Sequence, residues 1–169
     1  MVSLLPVLIW PDKRLRARAL PVQTFDAALT RLADDMLQTM YAAPGRGLAA
    51  TQVGAMLRLF VMDCGWKAGT PEPLVFVNPT LVSAASQLVP YEEGCLSLPG
   101  LLARIERPET VTLAWQGLDG AGHRAEFSGF AATCAQHELD HLDGVLCIDH
   151  LPAAARALLE PVLAGLEQA

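Results

Sequence analysis

The sequence predicts an α+β fold in which antiparallel β-sheets pack around one buried helix, with an N-terminal and a C-terminal helix outside. Three observations carry that expectation. Apolar residues recur at helical spacing near both ends, the middle is a succession of short β-rich runs divided by turn residues, and a late helical segment is apolar almost all round. The 169 residues contain no repeat, low-complexity tract or linker, so a single domain spanning residues 1–169 is expected. Hydrophobic residues make up 52% and charged residues 18%, which supports a packed core and excludes general disorder.

The first helix is expected over Asp26–Tyr41, where Phe25, Leu29, Leu32, Met36 and Met40 recur at steps of four and three. Pro44 and Gly45 stop it. Strands are expected at Leu57–Asp63, Leu74–Asn78, Gln87–Glu92, Ala103–Arg107, Thr110–Gln116 and Arg124–Phe127. Asp119-Gly120 reads as the hairpin turn joining the last two. A second helix is expected over Phe130–Leu142, ended by Gly144. Because Phe130, Ala131, Ala132, Cys134, Ala135 and Leu139 leave it little polar face, it belongs in the interior. A third helix should run from Pro152 onward with Ala155, Leu158, Leu159, Val162, Leu163 and Leu166 on one stripe. Pro161 should kink it or delay its start.

Charge and cysteine content narrow the function. A net charge of −6 argues against a nucleic-acid backbone as partner. The apolar opening, Leu4 to Trp10, is too short to span a bilayer and lacks the flanks of a signal peptide, so no membrane partner is expected. Cys64, Cys95, Cys134 and Cys147 show no C-x-x-C spacing and read as reduced thiols, which places the chain in the cytoplasm or an organelle matrix.

The chemistry lies in the second helix. His137 and His141 stand four residues apart and so share one helical face, with Glu138 directly after the first. That spacing suits two imidazoles on one divalent metal and a carboxylate beside the water it activates. Unpaired, these groups would cost several kcal/mol to bury in so apolar a helix, and a metal removes that cost. Hydrolytic sites of this kind usually have a third protein ligand. Cys147 falls where a longer histidine pattern would place one, His150 lies three residues on, and Cys95 lies far upstream in Glu92-Glu93-Gly94-Cys95-Leu96-Ser97. Cys147 sits in an apolar run that reads as a buried strand, whereas Cys95 follows a glycine and two carboxylates in a polar turn, so Cys95 is favoured. From ligand chemistry alone the metal would be zinc. In the glycine-rich stretch Gly45–Gly54 no phosphate loop is present, and the useful residue is Gln52, whose amide can donate to a developing oxyanion.

Together the three segments resemble the peptide deformylase family, whose hallmarks are G-x-G-L-A-A-x-Q, E-G-C-L-S and H-E-x-D-H. Here they stand as Gly45-Arg46-Gly47-Leu48-Ala49-Ala50-Thr51-Gln52, Glu93-Gly94-Cys95-Leu96-Ser97 and His137-Glu138-Leu139-Asp140-His141. The resemblance implies Cys95, His137 and His141 as ligands of iron(II), with zinc, nickel or cobalt able to substitute. It implies removal of the formyl group from polypeptides beginning with formyl-methionine, so the expected partners are N-formylated nascent peptides. A hydroxide made available by the metal would attack the formyl carbon while Glu138 takes the water proton and later delivers it to the departing amine. The oxyanion would be met by the metal, Gln52 and the backbone N–H of Leu96, with the peptide lying as an added strand near Gly47.

The chain also departs from the family. Arg46 replaces an apolar residue usual between the two glycines, where the side chain helps line the methionine pocket; the alternative is that it points to solvent over its aliphatic stem. Tyr91, Phe130 and Thr133 align with the pocket wall, and Thr133 is more polar than usual. Leu102 stands where an arginine is common, with Arg104 and Arg107 nearby. The C-terminal helix offsets Arg156 with Glu160 and Glu167 and so lacks the basic character that docks some relatives on the ribosome; at most a weak ribosome association is expected. The rival readings are a metalloamidase on this scaffold with a shifted N-formyl or N-acyl preference, a metzincin-type peptidase, and a non-catalytic binder of nascent N-termini.

Overall fold

The computed structural model describes residues 1–169. Helix α1 spans Ala27–Ala42, and Asp26 caps it by accepting from the N–H groups of Ala28 and Leu29 at 3.0 Å. Leu29, Ala33, Met36 and Met40 form its buried stripe, as their spacing requires. The strands follow as β1 (Gly47–Ala49), β2 (Leu59–Met62), β3 (Leu74–Ala84), β4 (Leu88–Cys95), β5 (Leu98–Pro108), β6 (Thr110–Gln116) and β7 (Gly122–Ser128). Helix α2 occupies Gly129–Leu142 and helix α3 occupies Ala153–Glu167.

All strand pairings are antiparallel. Five strands form a sheet in the order β1-β2-β3-β6-β7, and β4 pairs with β5 in a separate two-stranded ribbon. The β6–β7 hairpin closes through Asp119-Gly120, with Gly120 at φ +80°, a conformation glycine adopts without steric cost. Helix α2 packs against the β1–β2 side of the sheet, reaches β5 of the ribbon, and buries Ala132, Ala135 and Leu142. The expected architecture, sheets around a buried helix with the terminal helices outside, is what the structure shows.

Four local expectations need correction. β1 has no alternating run to announce it, because its three residues are glycine and two small or apolar groups held by pairing with β2. β3 to β5 extend beyond the expected runs, since ribbon and hairpin pairing continues past the apolar residues that mark them. Cys147 is buried as expected, but in a 3₁₀ turn, Cys147–His150, and not a strand. Helix α3 runs unbroken through Pro161. Pro161 and Ala157, whose carbonyl the proline leaves without its donor, both lie on the exposed face where water can satisfy that oxygen. The same register leaves Leu158 and Val162 exposed, and the packed stripe is Leu159, Leu163 and Leu166.

Candidate active site

Helix α2 presents both histidines to one point, and the turn between β4 and β5 brings a thiol to meet them. His141 Nε2 lies 3.2 Å from His137 Nε2 and 3.4 Å from Cys95 Sγ. All three donor atoms fall within 4.8 Å of one another. Metal–nitrogen bonds of about 2.0–2.1 Å and metal–sulfur bonds of about 2.3 Å at a tetrahedral ion imply N–N and N–S edges of roughly 3.3 and 3.6 Å. The spacing therefore fits a single divalent ion. Neither Cys147 nor His150 joins the cluster: burial pushes the Cys147 thiol up to about 12, and His150 lies 2.7 Å from Asp140.

The ring orientation of His137 is set from outside. Its Nδ1 lies 2.8 Å from Glu93 Oε1, which leaves Nε2 facing the ion position. Arg107 donates to Glu93 through Nε at 2.6 Å and Nη2 at 3.0 Å, and to Asp140 through Nη1 at 2.9 Å. Burial by itself would raise the Glu93 carboxyl, but these partners hold it down at about 2. The Glu93–Arg107 pair went unassigned in the sequence. The available signal was the ribbon's register, which places Glu93 opposite Ala103 and brings the far end of β5 back beside α2.

Glu138 is buried, and its Oε2 is shut away from solvent without a hydrogen-bond partner. Burial pushes its carboxyl up to about 7, the range in which a group can both accept and return a proton near neutrality. Gly47 lies against it: a Cβ there would come within 2.5 Å of Glu138 Oε1. Gln52 is held by its own loop. Its Oε1 accepts from Ala49 N–H at 2.9 Å, which turns Nε2 toward Ser97 Oγ at 3.1 Å and Cys95 Sγ at 3.7 Å. Leu96 occupies the turn joining β4 to β5, and its N–H has no partner there. Gln52, Leu96 and Glu138 thus line the same cavity as Cys95 and His137.

The cavity has a volume of about 600 Å³. Phe130 and Thr133 line it one helical turn apart, and Thr133 Oγ1 is buried with no hydrogen-bond partner. Arg46 does not turn away: its guanidinium carbon lies 4.9 Å from the Phe130 ring centroid, half-buried on the cavity wall. Leu102 lines the cavity too and is exposed. Tyr91 is not on the wall, contrary to the sequence expectation. Two residues along β4 from Glu93, roughly 6–7 Å, it lies over the start of α2 and packs edge-on against Phe130 at 6.3 Å.

The polypeptide deformylase family model matches residues 4–157. A peptide deformylase of Rhodopseudomonas palustris strain BisB18 is 47% identical over 160 residues, covering 94% of this chain and 91% of the relative. One from Rhizobium meliloti strain 1021 is 46% identical over 158 residues, covering 94% and 91%. Among solved structures, the Legionella pneumophila peptide deformylase superposes with a TM-score of 0.90 at 40% identity, covering 98% of this chain and 96% of that one. That of Synechococcus elongatus, solved in complex with actinonin, gives 0.89 at 38%, covering 97% and 90%. With a matching family model across most of its length and relatives this similar over nearly all of it, the chain belongs to the polypeptide deformylase family.

Proposed function

We propose that this deformylase removes the N-formyl group of nascent peptides at the Cys95–His137–His141 centre, with Glu138 as general base and then acid. The carrying observation is the convergence of one thiol and two imidazole nitrogens beside a buried carboxylate that no other side chain neutralises. A divalent ion held by Cys95, His137 and His141 would supply a Lewis acid that acidifies water and polarises the formyl oxygen. Iron(II) is the ion proposed, with zinc, nickel or cobalt as substitutes.

The chain's own groups do the rest. Glu138 takes a proton from the attacking water as the new C–O bond forms at the formyl carbon. It returns that proton to nitrogen as the C–N bond breaks, so that formate and a free amine leave. The Leu96 N–H and Gln52 Nε2 meet the negative charge that develops on the formyl oxygen. Gly47, free of a Cβ, admits the peptide beside Glu138. The peptide lies along β1, which is an edge strand with only β2 as neighbour. Arg46, Phe130 and Thr133 line the pocket for the first side chain, and Tyr91 supports Phe130.

The whole chain acts as one catalytic domain in a reducing compartment, cytoplasm or organelle matrix, in keeping with four free cysteines. No helix is long and apolar enough to cross a membrane. Contact with the ribosome is weak, because α3 sets Arg156 against Glu160 at 3.2 Å and offers no basic face.

The test is formate release from formyl-Met-Ala-Ser by protein loaded anaerobically with iron(II), with Glu138→Gln as control. The variant should keep its metal and lose about 10²–10⁴-fold in turnover. Metal-replete protein that releases no formate would end this reading. A second reading, a shifted preference for the formylated residue, is favoured by the Arg46 guanidinium, which stands over Phe130 on the cavity wall. A strong preference for methionine over other formylated residues would remove it.

A further inference from the structure

Two of the four cysteines have no part in the metal site, and they stand together. Cys147 belongs to the cluster that joins β5 to α3, against which the ligand Cys95 packs. Cys64 and Cys134 instead share the cluster beneath α2, Cys134 within it and Cys64 packed against it. Strand period explains the meeting. Leu59 and Val61 of β2 face the α1 cluster, and Asp63, next on that side, accepts from the Tyr41 hydroxyl of α1 at 2.7 Å. Phe60 and Met62 point the other way, into the α2 cluster, and Cys64 is the next residue of that row. Cys134 descends from α2 to the same place. Arg46 O marks it, accepting from Asp63 N–H at 2.9 Å and from the Cys134 thiol at 3.6 Å.

The two thiols differ in character. Hydrogen bonding from Cys134 holds the Cys64 thiol below its ordinary value, burial opposes this, and the nearby Arg46 guanidinium adds to the lowering. Cys64 beside it, and then burial, push the Cys134 thiol well up. Cys64 is therefore the better nucleophile, and Cys134 keeps its proton. Cys64 is half-buried and Cys134 lines the cavity, so a small solute can reach the pair.

We propose that Cys64 and Cys134 form a reversible redox site, oxidised by hydrogen peroxide to a disulfide that slows turnover. The Cys64 sulfur attacks one peroxide oxygen, the O–O bond breaks, and water leaves with the thiol proton, giving a sulfenic acid on Cys64. The Cys134 sulfur then attacks the Cys64 sulfur, and the hydroxyl departs as a second water with the Cys134 proton. The two thiols lose two electrons and the peroxide gains them. A small thiol reverses the reaction by exchange. Oxidation removes the S–H that Arg46 O accepts and joins α2 covalently to the end of β2. Arg46 lines the first pocket, and Glu138 lies one turn beyond Cys134 on the same helical face. The effect on turnover rests on the deformylase reading above; the disulfide does not.

The test treats nickel-loaded protein, which holds no iron to be oxidised, with hydrogen peroxide and maps its peptides under non-reducing conditions. One cross-link should appear, joining the peptides that carry Cys64 and Cys134, and dithiothreitol should remove it. kcat/KM on formyl-Met-Ala-Ser should fall by about three- to fivefold on oxidation, the worth of one neutral hydrogen bond, and return on reduction. Cys64→Ser, at a half-buried position, should start near the parent's turnover and show neither the cross-link nor the reversible loss. Cys147→Ser should keep both. Over-oxidation of Cys64 without a cross-link, or a cross-link to Cys95 or Cys147, overturns the inference. So does a Cys64–Cys134 cross-link that leaves turnover unchanged, or a reversible loss that persists in Cys64→Ser. Absence of formate from the untreated protein removes the deformylase reading instead, while the peptide map still decides the disulfide.

Discussion

At the scale of single residues, the tightest constraint in the site is a missing side chain. Gly47 has no unusual backbone angle to justify a glycine; what requires it is Glu138, whose carboxylate occupies the space a Cβ would need. Gly47→Ala should therefore displace Glu138 or the edge strand, lowering formate release sharply while leaving metal content near that of the parent. Parallel turnover and metal assays on the variant check this; wild-type turnover would show that the carboxylate can move aside freely. The residue scale is also where the sequence was most legible. Cys95, His137, His141, Glu138 and Gln52 were named from spacing and motif, and the structure brings all five together. Arg46 was left between pocket and solvent, because backbone torsions flanked by two glycines cannot be read from residue type.

At the scale of elements, the centre depends on a ribbon and a helix exchanging charge. Glu93 on β4 and Arg107 on β5 form a buried pair, extended to the half-buried Asp140 on α2, that orients His137. Removing the cation strands a buried carboxylate. Arg107→Leu should cost about 3–5 kcal/mol in unfolding free energy. It should also weaken metal binding by about 10–100-fold, as loss of a group behind a ligand usually does. Denaturant titration of the metal-loaded protein and competition with a chelator measure the two effects separately. Sequence reasoning missed this chain because its members lie in three elements, and only strand pairing brings them together. Helix α3 makes a second point. Its apolar stripe was drawn too wide, since periodicity gives a face but not which edge of that face meets β5. Leu163→Ala should destabilise by about 2–3 kcal/mol, whereas Leu158→Ala at the exposed edge should stay within about 0.5 kcal/mol. Comparable losses at both positions would contradict the observed register.

At the scale of the whole molecule, the core divides into three apolar clusters, and α2 contributes to the one beneath it. One joins β5 to α3, one fills the sheet beneath α2, and one seats α1 on β2. Because the three ligands come from two of these regions, an ion bound by Cys95, His137 and His141 ties ribbon to helix. A ligand that binds only the folded state stabilises it by about 4 kcal/mol at a thousandfold excess over its Kd. Stripping the metal with a chelator should lower Tm by several degrees and abolish formate release, and adding iron(II) back should restore both. Unchanged Tm on full removal would mean that the site is held by Arg107 and Glu93 alone.

What the sequence by itself determined is the chemistry and the class of fold. Metal ligation needs particular atoms at particular helical offsets, and strand and helix periods are written in the order of apolar residues. What only the tertiary structure decided is everything that depends on two distant segments meeting. That includes the capture of Glu93 by Arg107, the closing of Arg46 over Phe130, the absence of Tyr91 from the wall, and the continuity of α3 through Pro161. These follow from packing directions and solvent access, which exist only once the sheets have closed around α2.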